Sequence, residues 1–252
     1  MNKVFKKEVI IINNEKKIYG IKYLPNIDGK YPIVIFSHGY NGTNIDFENN
    51  AKILVENGIA AYCFDFCGGS VNSKSSMNTE EMSIFTEMED LKKVIEGVKT
   101  WPEIDTNNIF LFGGSQGGLV TSLVAEKYKD DINGVILLFP ALCIANDWTS
   151  KYKSANDIPK YIDFWGMRLG EKYIKSVYGF NIFDNLGSYD KNILFLHGDK
   201  DLIVAHKYTL DISKKYKNSK VIIFEGEGHG FSKEGNLKVS NITVDFVKFK
   251  IN

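Results

Sequence analysis

The stretch from Ile109 to Val120 constrains the fold of this chain more than any other. It reads Ile-Phe-Leu-Phe-Gly-Gly-Ser-Gln-Gly-Gly-Leu-Val, an apolar run followed by a glycine-rich turn and the start of a helical pattern. This order predicts a buried strand, a sharp turn and a helix, the context in which a G-x-S-x-G motif presents a serine nucleophile. Gly113 and Gly117 would let the turn approach its neighbours closely, with strained backbone at Ser115.

Such a turn has a second chemical consequence. It lifts the Ser115 hydroxyl clear of the sheet and puts the backbone N–H of Gln116 at a helix N-terminus, where it can face a developing oxyanion. The alternative is a glycine-rich strand-to-helix turn with an incidental serine, because short motifs also match by chance. Later segments of the chain must decide between these interpretations.

Length and composition favour a single α/β domain over residues 1–252. The chain has 44% hydrophobic residues, and its 31 basic and 31 acidic side chains cancel. Without a charge excess, neither nucleic acid nor an acidic membrane surface is an expected partner. Cys63, Cys67 and Cys143 lack a metal-ligand spacing with any histidine, and we expect reduced thiols in a cytoplasmic protein. The apolar run from Val9 to Ile12 is too short for a signal peptide, and no run reaches the ~18 residues of a membrane helix.

Apolar runs and helical periodicity alternate along the chain, which predicts a mostly parallel sheet with helices between its strands. An antiparallel hairpin is predicted from Phe5–Ile12 and Lys17–Tyr23. The other strands are predicted at 33–36, 59–64, 109–112, 135–139, 193–196 and 220–224. Besides the helix after Ser115, helices are predicted at 46–57, 79–99, 204–216 and 236–249. In the 79–99 helix we interpret Glu87, Glu89 and Asp90, with nearby lysines, as a solvated face.

The segment from about 140 to 190 breaks this alternation. Its polar residues are interspersed with aromatic ones, among them Trp148, Tyr152, Tyr161, Phe164, Trp165, Tyr173 and Tyr178. An insertion of this length between core strands is usually functional, and this one is too aromatic for disorder. We predict a lid over Ser115 that selects the acyl group. The alternative is that the aromatic rings pack on the core and form no pocket.

A serine nucleophile needs a base and a carboxylate to orient that base. In open α/β sheets, sites form beyond the carboxyl ends of the strands. Asp199 and Asp201 follow the predicted strand 193–196, and His229 lies in a glycine-rich loop after 220–224. The sequence therefore predicts His229 as the base, while either aspartate could be its partner. A loop histidine of no consequence is the alternative for His229.

The three other histidines have structural interpretations. His38 follows a strand, and we expect it to brace the loop before Tyr40. His197 ends a strand. We expect it to form structural hydrogen bonds near the loop that contains Asp199 and Asp201, called the acid loop below. His206 falls in a predicted helix and is expected at the surface.

These motifs carry a family resemblance. The segments Gly113–Gly117, His38-Gly39, His197–Val204 and Gly228–Phe231 resemble the α/β-hydrolase superfamily, in matching order across essentially the whole chain. Within it the chain is similar to the bacterial cinnamoyl (feruloyl) esterases, which also have a Pro-Ala pair opening the lid, here Pro140-Ala141.

The resemblance implies the α/β-hydrolase fold and assigns roles to residues. In the family's acid-loop motif the second aspartate is catalytic, which favours Asp201. The backbone N–H groups of Tyr40 and Gln116 are implied to form the oxyanion hole. Asp147 and Tyr173 fall near the positions at which these esterases contact a substrate's phenolic hydroxyl.

The implied activity is a two-step acyl transfer on a small-molecule ester, a hydroxycinnamate or another aryl or short-chain ester. Ser115 would attack the carbonyl, His229 would take the proton and Asp201 would orient His229. No metal or organic cofactor is required. The alternatives are a serine peptidase or amidase of the prolyl-oligopeptidase type and a non-catalytic binding protein on the same fold. A homodimer is compatible with the sequence.

Overall fold

The computed structural model describes residues 5–26 and 29–251. Its main sheet has eight strands: β1 (Phe5–Asn13), β2 (Lys16–Leu24), β3 (Tyr31–Ser37), β4 (Ala60–Phe64), β5 (Ile104–Gly114), β6 (Gly134–Leu138), β9 (Asn192–Gly198) and β10 (Ser219–Phe224). Two further strands, β7 (Tyr161–Phe164) and β8 (Met167–Gly170), pair separately. The helices are α1 (Glu48–Glu56), α2 (Ile84–Val98), α3 (Gln116–Lys127), α4 (Ile144–Lys151), α5 (Glu171–Val177), α6 (Lys207–Ser213) and α7 (Lys233–Ile251).

The main sheet has the order β1-β2-β4-β3-β5-β6-β9-β10. The β1–β2 hairpin is antiparallel, and β2 pairs antiparallel with β4. The remaining pairs of the main sheet are all parallel. This confirms the predicted mixed sheet with an antiparallel hairpin at its start. Parallel strands place their carboxyl ends at one edge, and the segments after β3, β5, β9 and β10 meet there.

Apolar residues fill both faces of the sheet, as parallel strands covered by helices require. In β3, Ile33 and Ile35 pack toward α2 and α3, whereas Val34 and Phe36 pack toward α1 and α7. Successive side chains of a strand point to opposite faces, so a continuous apolar run feeds both cores. The rigid sheet between these layers fixes the strand ends that carry the site.

Several element boundaries differ from the predicted ones. The helix predicted from Thr79 begins at Ile84, because Ser83 caps it: the Thr86 N–H donates to Ser83 Oγ, and the Ser83 N–H donates to Thr86 Oγ1. The helix predicted at 204–216 is shorter, α6, and β5 begins at Ile104 rather than Ile109. Caps and strand pairing shift such ends by a few residues.

The prediction of a solvated face on α2 is wrong for two of its three acidic residues. Glu87 is 1% exposed and Asp90 is 0% exposed, and only Glu89 lies in solvent. α2 packs against both α3 and α5, and these helices cover the face that carries Glu87.

The segment between β6 and β9 has its own structure, with α4, the β7–β8 hairpin and α5. Its residues Trp148, Phe164 and Tyr173 line a cavity together with Ser115. We call this segment the lid, and its role in selecting the acyl group stays a prediction. Among the helices of the described residues, none is long and apolar enough to cross a membrane.

Candidate active site

Ser115 occupies a one-residue turn between β5 and α3. Its backbone dihedrals are φ 52° and ψ −121°, a region that non-glycine residues rarely adopt. Two hydrogen bonds hold it there: its N–H donates to Leu138 O at 3.0 Å, and its carbonyl accepts from the Ala141 N–H at 2.9 Å. The strain expected at the serine is present and is maintained by the end of β6.

The predicted need for glycine around Ser115 is also confirmed. A β-carbon at Gly117 would overlap the carbonyl oxygens of Ser37 and His38, and one at Gly113 would overlap the carbonyl of Gly117. The turn therefore lies directly against the end of β3, which brings the loop after β3 next to the serine.

A chain of hydrogen bonds joins Ser115, His229 and Asp201. His229 Nε2 lies 2.9 Å from Ser115 Oγ, and His229 Nδ1 lies 2.8 Å from Asp201 Oδ2. The other carboxylate oxygen, Oδ1, accepts the backbone N–H groups of Ile203 and Val204 at 2.9 and 2.8 Å. This geometry allows His229 to accept the serine proton while Asp201 fixes its tautomer.

Asp199, the other aspartate that the sequence left open, has a different set of contacts. Its Oδ1 accepts the Gly226 N–H at 2.7 Å, and its own N–H donates to Phe224 O. These bonds tie the acid loop to the loop that carries His229. The distances favour Asp201 as the partner of His229.

His197 holds the acid loop in place by contacts with Val204 and Asp201. Its Nδ1 lies 2.8 Å from Thr209 Oγ1, and its Nε2 lies 2.9 Å from Val204 O and 3.2 Å from Asp201 Oδ2. Burial lowers the pKa of His197, which favours a neutral ring that stabilises the loop by hydrogen bonding. His206 is half-buried and directly precedes α6.

His38 orients one of the two predicted oxyanion donors. Its Nε2 accepts the Phe66 N–H at 3.0 Å, so Nδ1 carries the proton and donates to Gly39 O at 2.8 Å. Burial lowers the pKa of His38, consistent with this neutral form. Gly39 O belongs to the same planar peptide as the Tyr40 N–H, and the two groups point in opposite directions. Anchoring the carbonyl therefore aims the Tyr40 N–H.

The predicted oxyanion donors are available for a ligand. Within the described part of the chain, the N–H groups of Tyr40 and Gln116 donate to no protein acceptor. Both residues line a cavity together with Ser115.

Two cavities meet at Ser115. The first, about 300 Å³, lies under the lid and has apolar walls that include Trp148, Phe164 and Trp165. The second, about 470 Å³, lies on the side of His229 and includes Phe139. An ester carbonyl at Ser115 would therefore have room for one substituent on each side.

The lid hairpin is fixed to the loop after β3. The Tyr40 hydroxyl donates to Phe164 O at 2.7 Å, and the Tyr40 ring packs edge-on against Phe164 and Trp165. Trp165, at the tip of the hairpin, is 61% exposed, whereas Trp148 and Tyr173 are buried. Some lid aromatics thus pack in the core, and these same rings also form the cavity wall.

Asp147 and Tyr173, the predicted substrate contacts, both line the first cavity. Asp147 is exposed on α4. Tyr173 is buried, and its hydroxyl already donates to Gln116 Oε1 at 2.7 Å, so this proton is not free for a substrate. Contact with a substrate stays a prediction for both residues.

Sequence reasoning missed the role of Glu87, whose carboxyl group contacts Gln116, a predicted oxyanion donor. Gln116 Nε2 donates to Glu87 Oε1 at 3.0 Å and to Oε2 at 2.9 Å. Burial raises the pKa of Glu87 to about 8. Helical spacing could have revealed it, because Glu87 lies three residues after Ile84 and four before Leu91, on the apolar stripe of α2.

No group of three or more histidine, cysteine, aspartate or glutamate side chains that could hold a metal occurs among residues 5–26 and 29–251. The polar chemistry described at the site is supplied by its serine, histidine, acidic side chains and backbone amides.

Known structures share this architecture. The ferulic-acid complex of Est1E from Butyrivibrio proteoclasticus is 26% identical, superposes with a TM-score of 0.88 and covers 96% of this chain and 99% of its own. A dienelactone hydrolase from Anabaena variabilis, 16% identical with a TM-score of 0.71 over 98% of both chains, shares the fold.

A curated human relative, 1-acylglycerol-3-phosphate O-acyltransferase ABHD5, is 26% identical over 137 residues, which is 54% of this chain and 37% of that protein. The match therefore spans little more than a third of the relative's length. A family model described as serine aminopeptidase, S33 (Hydrolase_4), matches residues 30–176, more than half of the chain. With the sheet topology and the similarity to Est1E, this match shows that the chain is an α/β hydrolase resembling feruloyl esterases and belongs to the serine aminopeptidase S33 family.

Proposed function

We propose that this protein is a serine carboxylic-ester hydrolase that works through an acyl-enzyme. The observation that carries the proposal is the hydrogen-bonded chain from Asp201 through His229 to Ser115, opening into an apolar cavity. The family match and the esterase relative Est1E support a hydrolase acting on esters.

In the first step Ser115 Oγ attacks the ester carbonyl carbon while His229 Nε2 takes its proton. Asp201 stabilises the imidazolium that forms and keeps Nδ1 protonated. The carbonyl oxygen becomes an oxyanion and accepts hydrogen bonds from the Tyr40 and Gln116 N–H groups. Loss of one such donor typically costs ~100- to 1000-fold in kcat, so the placement of these amides is a large part of catalysis.

Collapse of this intermediate breaks the bond to the alcohol oxygen, which receives the proton from His229. A water molecule then attacks the acyl-enzyme, and His229 takes its proton. The acid leaves as Ser115 Oγ regains a proton from His229. The two cavities at Ser115 would hold the acyl group and the alcohol during these steps.

The acyl group that we propose is aromatic, with hydroxycinnamates first and other aryl or short-chain acyl groups next. Aromatic walls and few polar groups suit a planar apolar acyl group. Asp147 at the cavity could accept a hydrogen bond from a phenolic hydroxyl. The ferulic acid bound to Est1E supports this choice.

An aminopeptidase or amidase is the second candidate, as the family description suggests. Asp147 could pair with the α-ammonium group of an aminoacyl substrate. Lys151, which lines the same cavity, would repel that group. Because Lys151 would offset the attraction of Asp147 for an α-ammonium group, we rank the ester hydrolase above the aminopeptidase.

A hydrolysis panel tests the proposal. Methyl ferulate, p-nitrophenyl acetate and aminoacyl p-nitroanilides are assayed with the parent enzyme and with Ser115→Ala. We expect ester turnover by the parent, loss of at least ~1000-fold in Ser115→Ala, and little anilide cleavage. Near-full activity of Ser115→Ala would refute the serine mechanism. Preferential anilide cleavage would favour the amidase instead, and inactivity on methyl ferulate alone would refute only the hydroxycinnamate assignment.

A further inference from the structure

Glu87 is a buried carboxyl group that the proposed reaction does not use. It lies on α2, is 1% exposed and forms no ion pair with any lysine, arginine or histidine in the described ranges. Burying a carboxyl group without a cation is unfavourable, and here burial raises its pKa to about 8. Such a group calls for an explanation other than the stability of the core.

The contacts of Glu87 point to Gln116. The side-chain amide of Gln116 donates to both carboxyl oxygens of Glu87, and its carbonyl oxygen accepts the hydroxyl of Tyr173 at 2.7 Å. All three side chains are buried. A carboxyl group keeps at least one acceptor oxygen whether or not it is protonated, so this link survives titration of Glu87.

The side chain of Gln116 joins Glu87 to Tyr173, and its backbone lies at the proposed reaction centre. Gln116 is the first residue of α3, its N–H is a proposed oxyanion donor, and it directly follows the strained Ser115. Tyr173, at the other end of the link, belongs to α5 of the lid and lines the first cavity. The three side chains thus join α2, the nucleophile turn and the lid.

Glu87 also lies near the support of the second oxyanion donor. A β-carbon built on Gly69 would lie 3.1 Å from His38 Cε1 and 3.2 Å from Glu87 Oε1, so both side chains pack against Gly69. His38 orients the Tyr40 N–H through Gly39 O. His38, which orients the Tyr40 N–H, and Glu87, which binds the Gln116 side chain, therefore lie close together in the buried interior.

We propose that Glu87 is a positioning residue: through the side chain of Gln116 it holds the oxyanion donor and Tyr173 of the lid as one rigid unit. The inference rests on the proposed ester hydrolysis and deepens it. Glu87 touches no substrate and acts only through Gln116.

The test compares variants that keep or remove the acceptor at position 87. Glu87→Gln retains one acceptor oxygen for Gln116 Nε2, whereas Glu87→Met has a similar volume and no such oxygen. We expect Glu87→Met to lower kcat on p-nitrophenyl acetate about 10-fold, with KM changed less than about 2-fold, because a misplaced oxyanion donor weakens only the transition state. Glu87→Gln should stay within about 3-fold of the parent.

Asp90→Asn is the matched control. Asp90 is an equally buried carboxyl group on the same helix, but it accepts hydrogen bonds from the Cys67 N–H and the Asn13 amide and none from Gln116. We expect a lower melting temperature for Asp90→Asn with kcat unchanged.

A double-mutant cycle separates positioning from a general loss of stability. Tyr173→Phe removes the other hydrogen bond of Gln116, so Glu87→Met and Tyr173→Phe together should lose no more activity than the worse single variant. Should Glu87→Met fail to fold, Gln116→Met is used in its place. It keeps the backbone N–H, breaks both side-chain contacts and should show the same selective loss of kcat.

Outcomes distinguish this inference from the proposed function. An active parent with an equally active, folded Glu87→Met, or losses that multiply in the cycle, would overturn the positioning role alone. If the parent hydrolyses no ester, the proposed function fails, and amide hydrogen exchange still tests the rigid unit. Exchange in α5 and at the start of α3 should accelerate in Glu87→Met but not in Asp90→Asn, and unchanged exchange would overturn the inference.

Discussion

Nδ1 of His229 lies 2.8 Å from Oδ2 of Asp201, although 28 residues of sequence separate them. Asp199, two residues away from Asp201, contacts the Gly226 N–H instead. The two aspartates of one loop therefore have separate partners.

We expect Asp201→Asn to fold and to lose about 10⁴-fold in kcat, since an asparagine amide favours the wrong imidazole tautomer. Asp199→Asn should lose less than about 10-fold, with a lower melting temperature. Steady-state kinetics on p-nitrophenyl acetate and thermal unfolding of both variants provide the comparison. The reverse ranking of kcat would move the acid of the triad to Asp199.

The backbone at Ser115 predicts a stability difference between two variants that lack the serine hydroxyl. Its φ of 52° and ψ of −121° suit glycine, whereas alanine meets the same strain as serine. Ser115→Gly should be more stable than Ser115→Ala by about 1 kcal/mol, after the greater freedom of glycine in the unfolded chain is subtracted. Urea unfolding measures both free energies. Equal stabilities would show that the turn stores no strain.

The contacts of the lid residues predict different substrate dependence. Asp147→Ala should lower kcat/KM for methyl ferulate about 10-fold and spare p-nitrophenyl acetate, which is too small to reach Asp147. Tyr173→Phe should lower kcat/KM for both esters, because its hydroxyl bonds to Gln116 beside the reaction centre.

Asn146→Ala is the control for the lid, since Asn146 is exposed on the same helix and bonds to the Tyr208 hydroxyl. It should leave both esters unaffected. Equal losses on the two esters in Asp147→Ala would exclude Asp147 as a contact for the phenolic hydroxyl.

The buried carboxyl of Glu87 predicts a pH dependence of stability. Its pKa rises from 4.5, the ordinary value of a solvated glutamate, to about 8 in the folded protein, so between these values the folded state holds a proton that the unfolded state has released. The contribution of Glu87 to the free energy of unfolding is therefore fully present below about pH 4.5 and falls as pH rises to about 8, by at most about 1.4 kcal/mol per pH unit.

Glu87→Gln cannot titrate, so its stability should fall less steeply with pH than that of the parent. Urea unfolding from pH 5.5 to 8 measures both slopes. Glu89→Gln, exposed on the same helix, is the control and should keep the parent's slope. Identical slopes for the parent and Glu87→Gln would mean that Glu87 ionises in the folded state as it does in water.

Local sequence patterns were sufficient for the alternation of strands and helices and for the turn at Ser115. Apolar runs such as Ile33–Phe36 follow from the two-residue period of a strand. Gly113 and Gly117 are required because a β-carbon there would overlap residues near the serine or the adjacent strand. The conformation of the turn can therefore be predicted from the motif itself. The order of Ser115, the acid loop and His229 could likewise be predicted, because strand ends of a parallel sheet converge.

The tertiary structure alone decided what depends on contacts between distant segments. Composition and charge alternation made Glu87 and Asp90 resemble a solvated helix face. In the structure α3 and α5 cover Glu87, and Asp90 is buried with hydrogen bonds from Asn13 and Cys67. Asp199 and Asp201 both follow the end of β9 within three residues, and only the path of the loop brings Asp201 to His229. The hydroxyl of Tyr173 points to Gln116, 57 residues away. A one-dimensional pattern records which side chains could be buried, whereas the partner of each buried polar group is set by how the helices and the lid pack together.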